Sequence, residues 1–375
     1  MESIYNSRLE RIARELGDNK IFSIYACTSE NDFHRSRINP YFLYLTMLPM
    51  NFIVLNSILV VKTFPDTCQI IIYYKPDNIS GQTYPRNFAF KTIPLKDFQN
   101  IPEMNEEIKN KIDNLRTIKD KWEMKQIKDA IKITDIGYKN MMKLIKHHKG
   151  QLNEKELEAA FYQTIISNEA RVAYAPIIAT GKNAASIHYH INNQNIPKRS
   201  YILLDCGAMN KYGYCADITR TVPSSKGIKK LQKNVYRAVE TAYKNCLNHL
   251  NMCLKKKIPV YLMDLQDVCL KSFMKSVPTF KMKKHKIWNL ILDACGIDQN
   301  KVKVFYTHFI GHQVGLDVHD SPTQSELVEG MVITIEPGLY FHEYIPDIPK
   351  EYLDIGGVRI EHMIEIGKTK AKVIG

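Results

Sequence analysis

The 375-residue sequence predicts an α+β fold, with a smaller N-terminal α/β domain over 1–117 and a larger C-terminal domain over 118–375. Three observations carry this. Two stretches after Ile118 hold apolar residues at helical spacing over several turns, which marks amphipathic helices. A series of short apolar runs ended by Gly or Pro follows them, as strands would. No self-similarity at a solenoid period runs through the chain.

In chain order, MESIYNSRLERIARELG reads as an amphipathic helix, and charges interrupt each apolar run as they would not in a signal peptide. Between Arg37 and Lys62 no charge occurs, a length that raises the question of a membrane span. Pro40, Pro49, Asn51, Asn56 and Ser57 cut it into pieces rich in β-branched and aromatic residues, so buried strands are expected there and in CQIIIYYKPDN. The segments KPDN and NISGQTYP read as turns. KDKWEMKQIKDAIKITDIGYKNMMKLIKHH is the first long helix, with Gly150 placed to stop it. NEKELEAAFYQTIISN is the second, with Asn153 as its cap. Strands are expected in YAPIIATG, YILLDCG, YCADITRTVP, VFYTHFIG, GMVITIEPG and GGVRIEHMIEIG. Helices between Lys229 and Cys253 and between Pro259 and Met274 interrupt them.

Composition narrows the function classes. Hydrophobic residues make up 45% and charged residues 24%, which is ordinary for a soluble globular protein. The net charge is +13, but the lysines are dispersed, with short runs at Lys255–Lys257 and Lys281–Lys286. A solvated basic surface is therefore expected, not a nucleic-acid or membrane partner. The cysteines at 27, 68, 206, 215, 246, 253, 269 and 295 include no Cys-x-x-Cys pair. They read as reduced thiols of a cytoplasmic protein.

HFIGHQVGLDVHD places His308, His312 and His319 within thirteen residues, among small and apolar neighbours. A single such histidine is ordinarily a hydrogen-bonded core residue or part of a basic surface. Four carboxylates give the group another meaning. Asp205 ends YILLDCG, and Asp217 lies in the next strand across a link with hairpin residues. Glu336 ends VITIEPG, and Glu361 shares one strand face with Arg359. Each acid alone could be a salt-bridged carboxylate at a strand end. Four on strands of Ile, Leu and Val require something to neutralise them. A divalent metal site fits, and oxygen-rich ligation with one imidazole suits Mn²⁺ or Co²⁺. Several carboxylates can also bridge, which allows two ions about 3.5–4 Å apart.

The ordered set Asp205 in D-C-G, Asp217 in D-I-T-R-T-V-P, His312 in H-F-I-G-H, Glu336 in E-P-G and Glu361 in R-I-E resembles the pita-bread metallopeptidases. The resemblance covers about Ile118 to the C-terminus, and GLDVHD, ADITRTVP and GGVRIE resemble the aminopeptidase P and prolidase branch. NDFHRSRINPYFLYLT is similar to the N-terminal domain of that branch. The resemblance implies a pita-bread catalytic domain and two divalent ions, most simply Mn²⁺, with Co²⁺ or Zn²⁺ as alternatives. It implies Asp205, Asp217, His312, Glu336 and Glu361 as metal ligands, with Asp217 and Glu361 bridging. A hydroxide shared by the two ions would attack the scissile carbonyl, with Glu336 as proton shuttle. His308, His319 and His188 match substrate-contacting histidines, and Arg359 would orient the bridging carboxylates. Gly311 and Gly315 would let the backbone pass close to the site. Cys206 would serve packing, and His190 and His362 would be structural.

The activity so implied is removal of the N-terminal residue from peptides with proline second, by a homo-oligomer such as a dimer. The alternatives are a prolidase, confined to Xaa-Pro dipeptides, and a non-catalytic pita-bread binding module.

Overall fold

A computed structural model describes residues 2–26, 38–54, 57–74, 84, 90–276, 305–320, 325–344 and 348–375. Cys27, Cys295, the Lys281–Lys286 run, the KPDN turn, most of NISGQTYP and the NDFHRSR part of the N-terminal resemblance lie outside these residues. The chain forms two compact units. The first comprises 1–126, 211–214 and 315–321, and the second the remainder, so the division falls inside one long helix.

In the first unit, helix α1 (Glu2–Leu16) buries Tyr5, Leu9, Ile12, Ala13 and Leu16 along one stripe. A four-stranded sheet follows, from β1 (Ile21–Tyr25), β2 (Ile58–Thr63), β3 (Cys68–Tyr74) and β4 (Lys91–Pro94), in that spatial order. The first two pairings are antiparallel and the last is parallel. Ile58, Leu59, Val60 and Val61 are all buried, which explains why this strand reads as a continuous apolar run without alternation.

One expectation fails here. The apolar piece PYFLYLT is a helix, α2 (Pro40–Thr46), and not a strand. Asn39 caps it by accepting from Tyr41 N, and Pro40 sits where a missing N–H costs nothing. Phe42, Leu43, Tyr44, Leu45 and Thr46 are all buried. Burial on every side erased the periodicity that separates helix from strand. No helix among the described residues is long and apolar enough to cross a membrane.

The first unit also holds two buried ionic knots. Arg8 has a fully buried side chain that pairs with Asp120 at 2.5 Å and Glu123 at 3.5 Å and donates to the Tyr44 carbonyl. Helix α3 (Glu106–Thr117) supplies Arg116, which grips Asp317 at 2.7 Å and Asp320 at 2.5 Å, and Lys119 holds the other oxygen of Asp320. Burial pushes the Asp320 carboxyl up, but Lys119 and Arg116 outweigh it and hold it below the usual carboxylate range.

The second unit is built on α4 (Lys121–His147), α5 (Glu154–Ser167), α6 (Lys230–Lys256) and α7 (Leu262–Ser276). Asn153 caps α5 in a capping box with Glu156, as its sequence position predicts. The strands are β5 (Arg171–Val172), β6 (Ile177–Thr180), β7 (Tyr201–Asp205), β8 (Ala208–Met209) and β9 (Thr219–Pro223). They continue with β10 (Val332–Ile335), β11 (Gly338–Tyr340), β12 (Gly357–Arg359), β13 (His362–Glu365) and β14 (Lys372–Val373). Strand β7 lies between β6 and β9, antiparallel to both, and β13 lies between β10 and β14. From α4, the Tyr138 hydroxyl reaches the carbonyls of Leu204 and Ile218, fastening β7 to the chain entering β9.

Two expected strands differ. GGVRIEHMIEIG is divided into β12 and β13. Between them the chain changes partners, with Ile360 N–H bonding Pro337 O and Glu361 N–H bonding Thr219 O. The described part of VFYTHFIG is irregular, and its carbonyls at Phe305 and Ile310 accept from Tyr340 N–H in β11 and from Glu336 N–H just past β10.

The Asp320 knot sets a pH test. Its depressed carboxyl contributes stability in full above the unfolded value of about 4, and the contribution is lost as pH falls through the folded value. Asp320→Asn is expected to destabilise the protein by about 3–5 kcal/mol at pH 7, because it leaves the buried Lys119 without its carboxylate and removes one of Arg116's. Urea unfolding of both proteins should show the gap narrowing once the pH drops below about 4.

Candidate metal centre

The backbone brings the predicted acids together through two close approaches. Asp205 closes β7, and Gly207 follows it where a Cβ would lie 1.9 Å from the Ala216 carbonyl. Only glycine lets the Asp205 and Asp217 segments converge so tightly. A Cβ on Gly311 would lie 2.1 Å from the Thr334 carbonyl. Its absence lets 310–312 run beside β10, with Thr334 N–H on His312 O and Glu336 N–H on Ile310 O. His312 is thereby delivered to the end of β10, where Glu336 leaves the strand. Gly315 makes a different close approach, to the Asp320 carboxylate, and does not line this cluster.

The cluster is compact. His312 Nε2 lies 3.3 Å from Asp217 Oδ2 and 3.5 Å from Glu336 Oε1. One ligand atom each from His312, Glu336 and Glu361 fall within 4.8 Å of one another, and so do atoms from Asp205, Asp217 and Glu361. Glu361 is common to both triads. The His312 Nδ1 is 3.0 Å from the Gln313 carbonyl. A carbonyl only accepts, so Nδ1 donates to it and Nε2 is the nitrogen turned toward the acids.

Around the acids stand residues that order them. Tyr174 Oη reaches Asp205 Oδ1 at 2.6 Å and Asp217 Oδ1 at 2.7 Å. Arg359 pairs with the other oxygen of Asp205, donates from Nε to Thr219 Oγ1, and donates from Nη1 to Tyr340 Oη. Thr219 in turn donates to Glu361 at 2.7 Å. Arg359 and Glu361 therefore face one side, as strand alternation predicts. The His308 Nδ1 lies 2.8 Å from the Phe309 carbonyl, its Nε2 2.7 Å from Tyr340 Oη, and its ring 3.6 Å from Glu336. Tyr340 accepts from Arg359 and hydrogen-bonds His308 Nε2, which holds the ring on the Glu336 side.

Electrostatics shows what the cluster lacks. Burial, then Asp217, Glu336 and Asp205, push the Glu361 carboxyl well above the usual range. Burial raises Glu336 to about 7 against the pull of His312 and Arg359. It raises Asp205 against Arg359 as well. Burial pulls His312 down, yet Asp217 and Glu336 carry it up to about 9. Within the cluster Glu361 receives a single side-chain hydrogen bond, from Thr219. Buried carboxylates so short of donors and cations fit a divalent ion, which would replace the protons they otherwise retain.

Of the remaining predicted residues, His188, His190, His362 and Cys206 are placed elsewhere. His188 is exposed in the segment before β7, its ring stacked on His190 at 6.4 Å. His190 is exposed too, so it does not serve the core. His319 is exposed in the 315–321 segment of the first unit, between the clamped Asp317 and Asp320. His362 is half-buried and contacts the Gly375 carbonyl, and Cys206 is fully buried. Sequence reasoning missed Tyr174, Tyr340 and Thr219. Thr219 had a signal, since period-two alternation from Asp217 places it on the same face. The tyrosines had none beyond their nearness to the motifs.

The profile of metallopeptidase family M24 matches residues 125–368. The chain belongs to metallopeptidase family M24. A probable Xaa-Pro aminopeptidase of Phaeosphaeria nodorum is 32% identical over 295 residues, covering 67% of this chain and 34% of that protein. A second, from Botryotinia fuckeliana, is 29% identical over 314 residues, covering 75% of this chain and 64% of that one. The match thus spans less than two thirds of either relative's length. Among solved structures, proline aminopeptidase P II from Yersinia pestis superposes with a TM-score of 0.79 at 19% identity, over 100% of this chain and 96% of that one. Zn-substituted aminopeptidase P from Escherichia coli, in complex with product, gives 0.79 at 19% identity over 100% and 94%. The M24 chain thus has the pita-bread fold of aminopeptidase P.

The crowded acids generate a metal test. Adding Mn²⁺ or Zn²⁺ to chelator-stripped protein should raise its melting temperature, by the equivalent of about 2.7 kcal/mol at a hundredfold excess over Kd. Glu361→Gln should melt no lower than wild type without metal, because a repulsion is removed, and should gain less when metal is added. Differential scanning calorimetry would read both effects.

Proposed function

We propose that the chain is a dinuclear Xaa-Pro aminopeptidase that removes the N-terminal residue from peptides with proline second. The observation that carries this reading is the pair of ligand triads sharing Glu361. One carboxylate shared between a group with an imidazole and an all-carboxylate group is what two neighbouring ions require. The relatives named for Xaa-Pro cleavage supply the substrate class.

In this reading Asp205, Asp217, His312, Glu336 and Glu361 would hold the two ions, with Asp217 and Glu361 as the shared ligands. Mn²⁺ is the preferred ion for so oxygen-rich a set, with Co²⁺ and Zn²⁺ able to substitute. Bound ions would activate water as nucleophile and polarise the scissile carbonyl. Everything else falls to the chain. Glu336 stands 3.5 Å from His312 and 3.6 Å from His308. From there its carboxylate takes the proton released by the nucleophile and returns it to the leaving amine. Arg359 and Tyr174 fix Asp205 from opposite oxygens, and Arg359 reaches Glu361 through Thr219. These contacts hold the ligands in one geometry during the reaction. His308, braced by Tyr340 and Phe309, presents its ring beside Glu336. Contact between His308 and the substrate oxyanion needs the ring to turn from one of these partners. His188 and His319 would meet the substrate from more exposed positions.

A separate aminopeptidase-P-like domain over 1–117, a homodimer and a reducing, cytoplasmic setting belong to the same proposal. The last is supported by the buried cysteines Cys68, Cys206, Cys215, Cys246, Cys253 and Cys269, none of them in a disulfide among the described residues.

The test is mass spectrometry of products from metal-stripped, Mn²⁺-reloaded protein given equal amounts of an Xaa-Pro dipeptide and an Xaa-Pro-Yaa-Zaa tetrapeptide. Loss of Xaa from the tetrapeptide is expected. Cleavage of the dipeptide alone would make the enzyme a prolidase, and cleavage of neither with Mn²⁺, Co²⁺ or Zn²⁺ would leave a binding module. His312→Ala and Asp217→Ala should each lower kcat/KM by roughly 10³-fold, about 4 kcal/mol, with the fold retained by circular dichroism. Activity surviving either substitution would rule out the dinuclear scheme.

A further inference from the structure

A second buried acid lies in the same unit, outside the metal cluster. Glu154 opens α5 with no exposed surface. Its Oε1 accepts from Thr180 N at 2.8 Å and from Thr180 Oγ1 at 3.0 Å. Its Oε2 accepts from Tyr189 Oη at 2.9 Å and from Gln194 N at 2.9 Å. The Glu154 N–H completes the loop by bonding the Gln194 carbonyl. One carboxylate thus ties the end of β6 to two points of the 186–195 segment, which has no helix or strand of its own.

That segment carries His188. Tyr189 turns inward and packs with Ile177, Ala179, Ala184 and Leu203, and Ile177 lies directly opposite Asp205 in the sheet. Its neighbours His188 and His190 face outward with rings stacked 13° from parallel. Asn192, buried at φ +47°, bonds Glu158, the Pro176 carbonyl and Ile178 N–H. An irregular segment has few hydrogen bonds of its own to hold a side chain still. Here the rigidity is supplied from α5.

We infer that Glu154 is a positioning residue for His188, fixing the histidine at a set distance from the β7 end through Tyr189 and Gln194. The inference rests on the reading of His188 as a substrate contact. The choice of residue follows from chemistry. All four groups around the carboxylate donate, and only an ionised Asp or Glu offers two oxygens that accept and never donate. Glutamine would turn an NH₂ toward donors on one side, and aspartate would fall one methylene short.

The test compares wild type, Glu154→Gln, His188→Ala and the double variant, on an Xaa-Pro-Yaa-Zaa peptide and by amide hydrogen exchange. Glu154→Gln is expected to raise KM about tenfold while kcat changes less than about threefold, since a displaced binding contact weakens substrate capture. Exchange should accelerate in 186–195 and stay unchanged in β10 and β13. In the His188→Ala background, Glu154→Gln should alter kcat/KM by less than about twofold. Effects that multiply in the double variant would overturn the inference, because Glu154 would then act on general stability and not through His188. Tyr189→Phe removes one of the four bonds with the ring left in the core, and should give a smaller effect with the same dependence on His188. If wild type cleaves no Xaa-Pro peptide, the functional reading fails by itself. The exchange measurement then decides separately: unaltered exchange at 186–195 in Glu154→Gln and Tyr189→Phe would remove the anchor.

Discussion

Four carboxylates from separate parts of the chain meet inside a framework of apolar strands, and their mutual repulsion is the constraint to which the rest of the second unit answers. Asp205, Asp217 and Glu361 are buried outright, with Glu336 close beside them. In a medium of low polarity such a group cannot ionise fully without positive charge nearby. Arg359 neutralises Asp205, and His312 faces Asp217 and Glu336. These two cations cannot match four acids, and a pair of divalent ions can. The framework is in this sense incomplete by design, and its backbone has to be stiff enough to keep the acids close in spite of their charge.

Stiffness comes from the way the acids are mounted. Asp205 is the last residue of β7, Glu336 lies one beyond β10, and Glu361 occupies the joint between β12 and β13. Asp217 precedes β9 and is held by the Tyr138 contact at Ile218. A strand end combines a backbone fixed on one side with a side chain released from the alternating pattern. That is why several strands can aim their termini at one point. The price is close backbone contact, and Gly207 and Gly311 stand where any Cβ would strike a carbonyl.

This arrangement explains what was legible in the sequence. The cluster was readable because its acids fall at or near strand ends, and Asp205, His312 and Glu336 stand within two residues of a glycine or proline, which leaves local patterns. The α+β succession, the Asn153 cap and the antiparallel pairing of the two aspartate segments were readable for similar local reasons. Tyr174 and Tyr340 were not. Each acts through one hydroxyl on partners far away in sequence, and a tyrosine in an apolar segment looks the same whether its hydroxyl has such a task or merely a partner. The helix at Pro40–Thr46 was hidden by complete burial, and the break between β12 and β13 by a change of hydrogen-bond partner that side-chain patterning does not record.

Comparison among the buried acids separates structural roles from chemical ones more sharply than burial does. Glu154 receives four hydrogen bonds, and Asp320 has a cation on each oxygen. Each is satisfied by the protein alone, and each holds a segment in place. Glu361 receives one hydrogen bond from Thr219 and otherwise faces other acids. A fold can bury a carboxylate safely when it supplies donors for both oxygens. Where it gathers several and withholds those donors, the missing partner must come from outside the chain. The same residue type, equally buried in the same unit, thus marks a self-satisfied acid in one place and a candidate metal ligand in the other, and the difference lies in the donors around it.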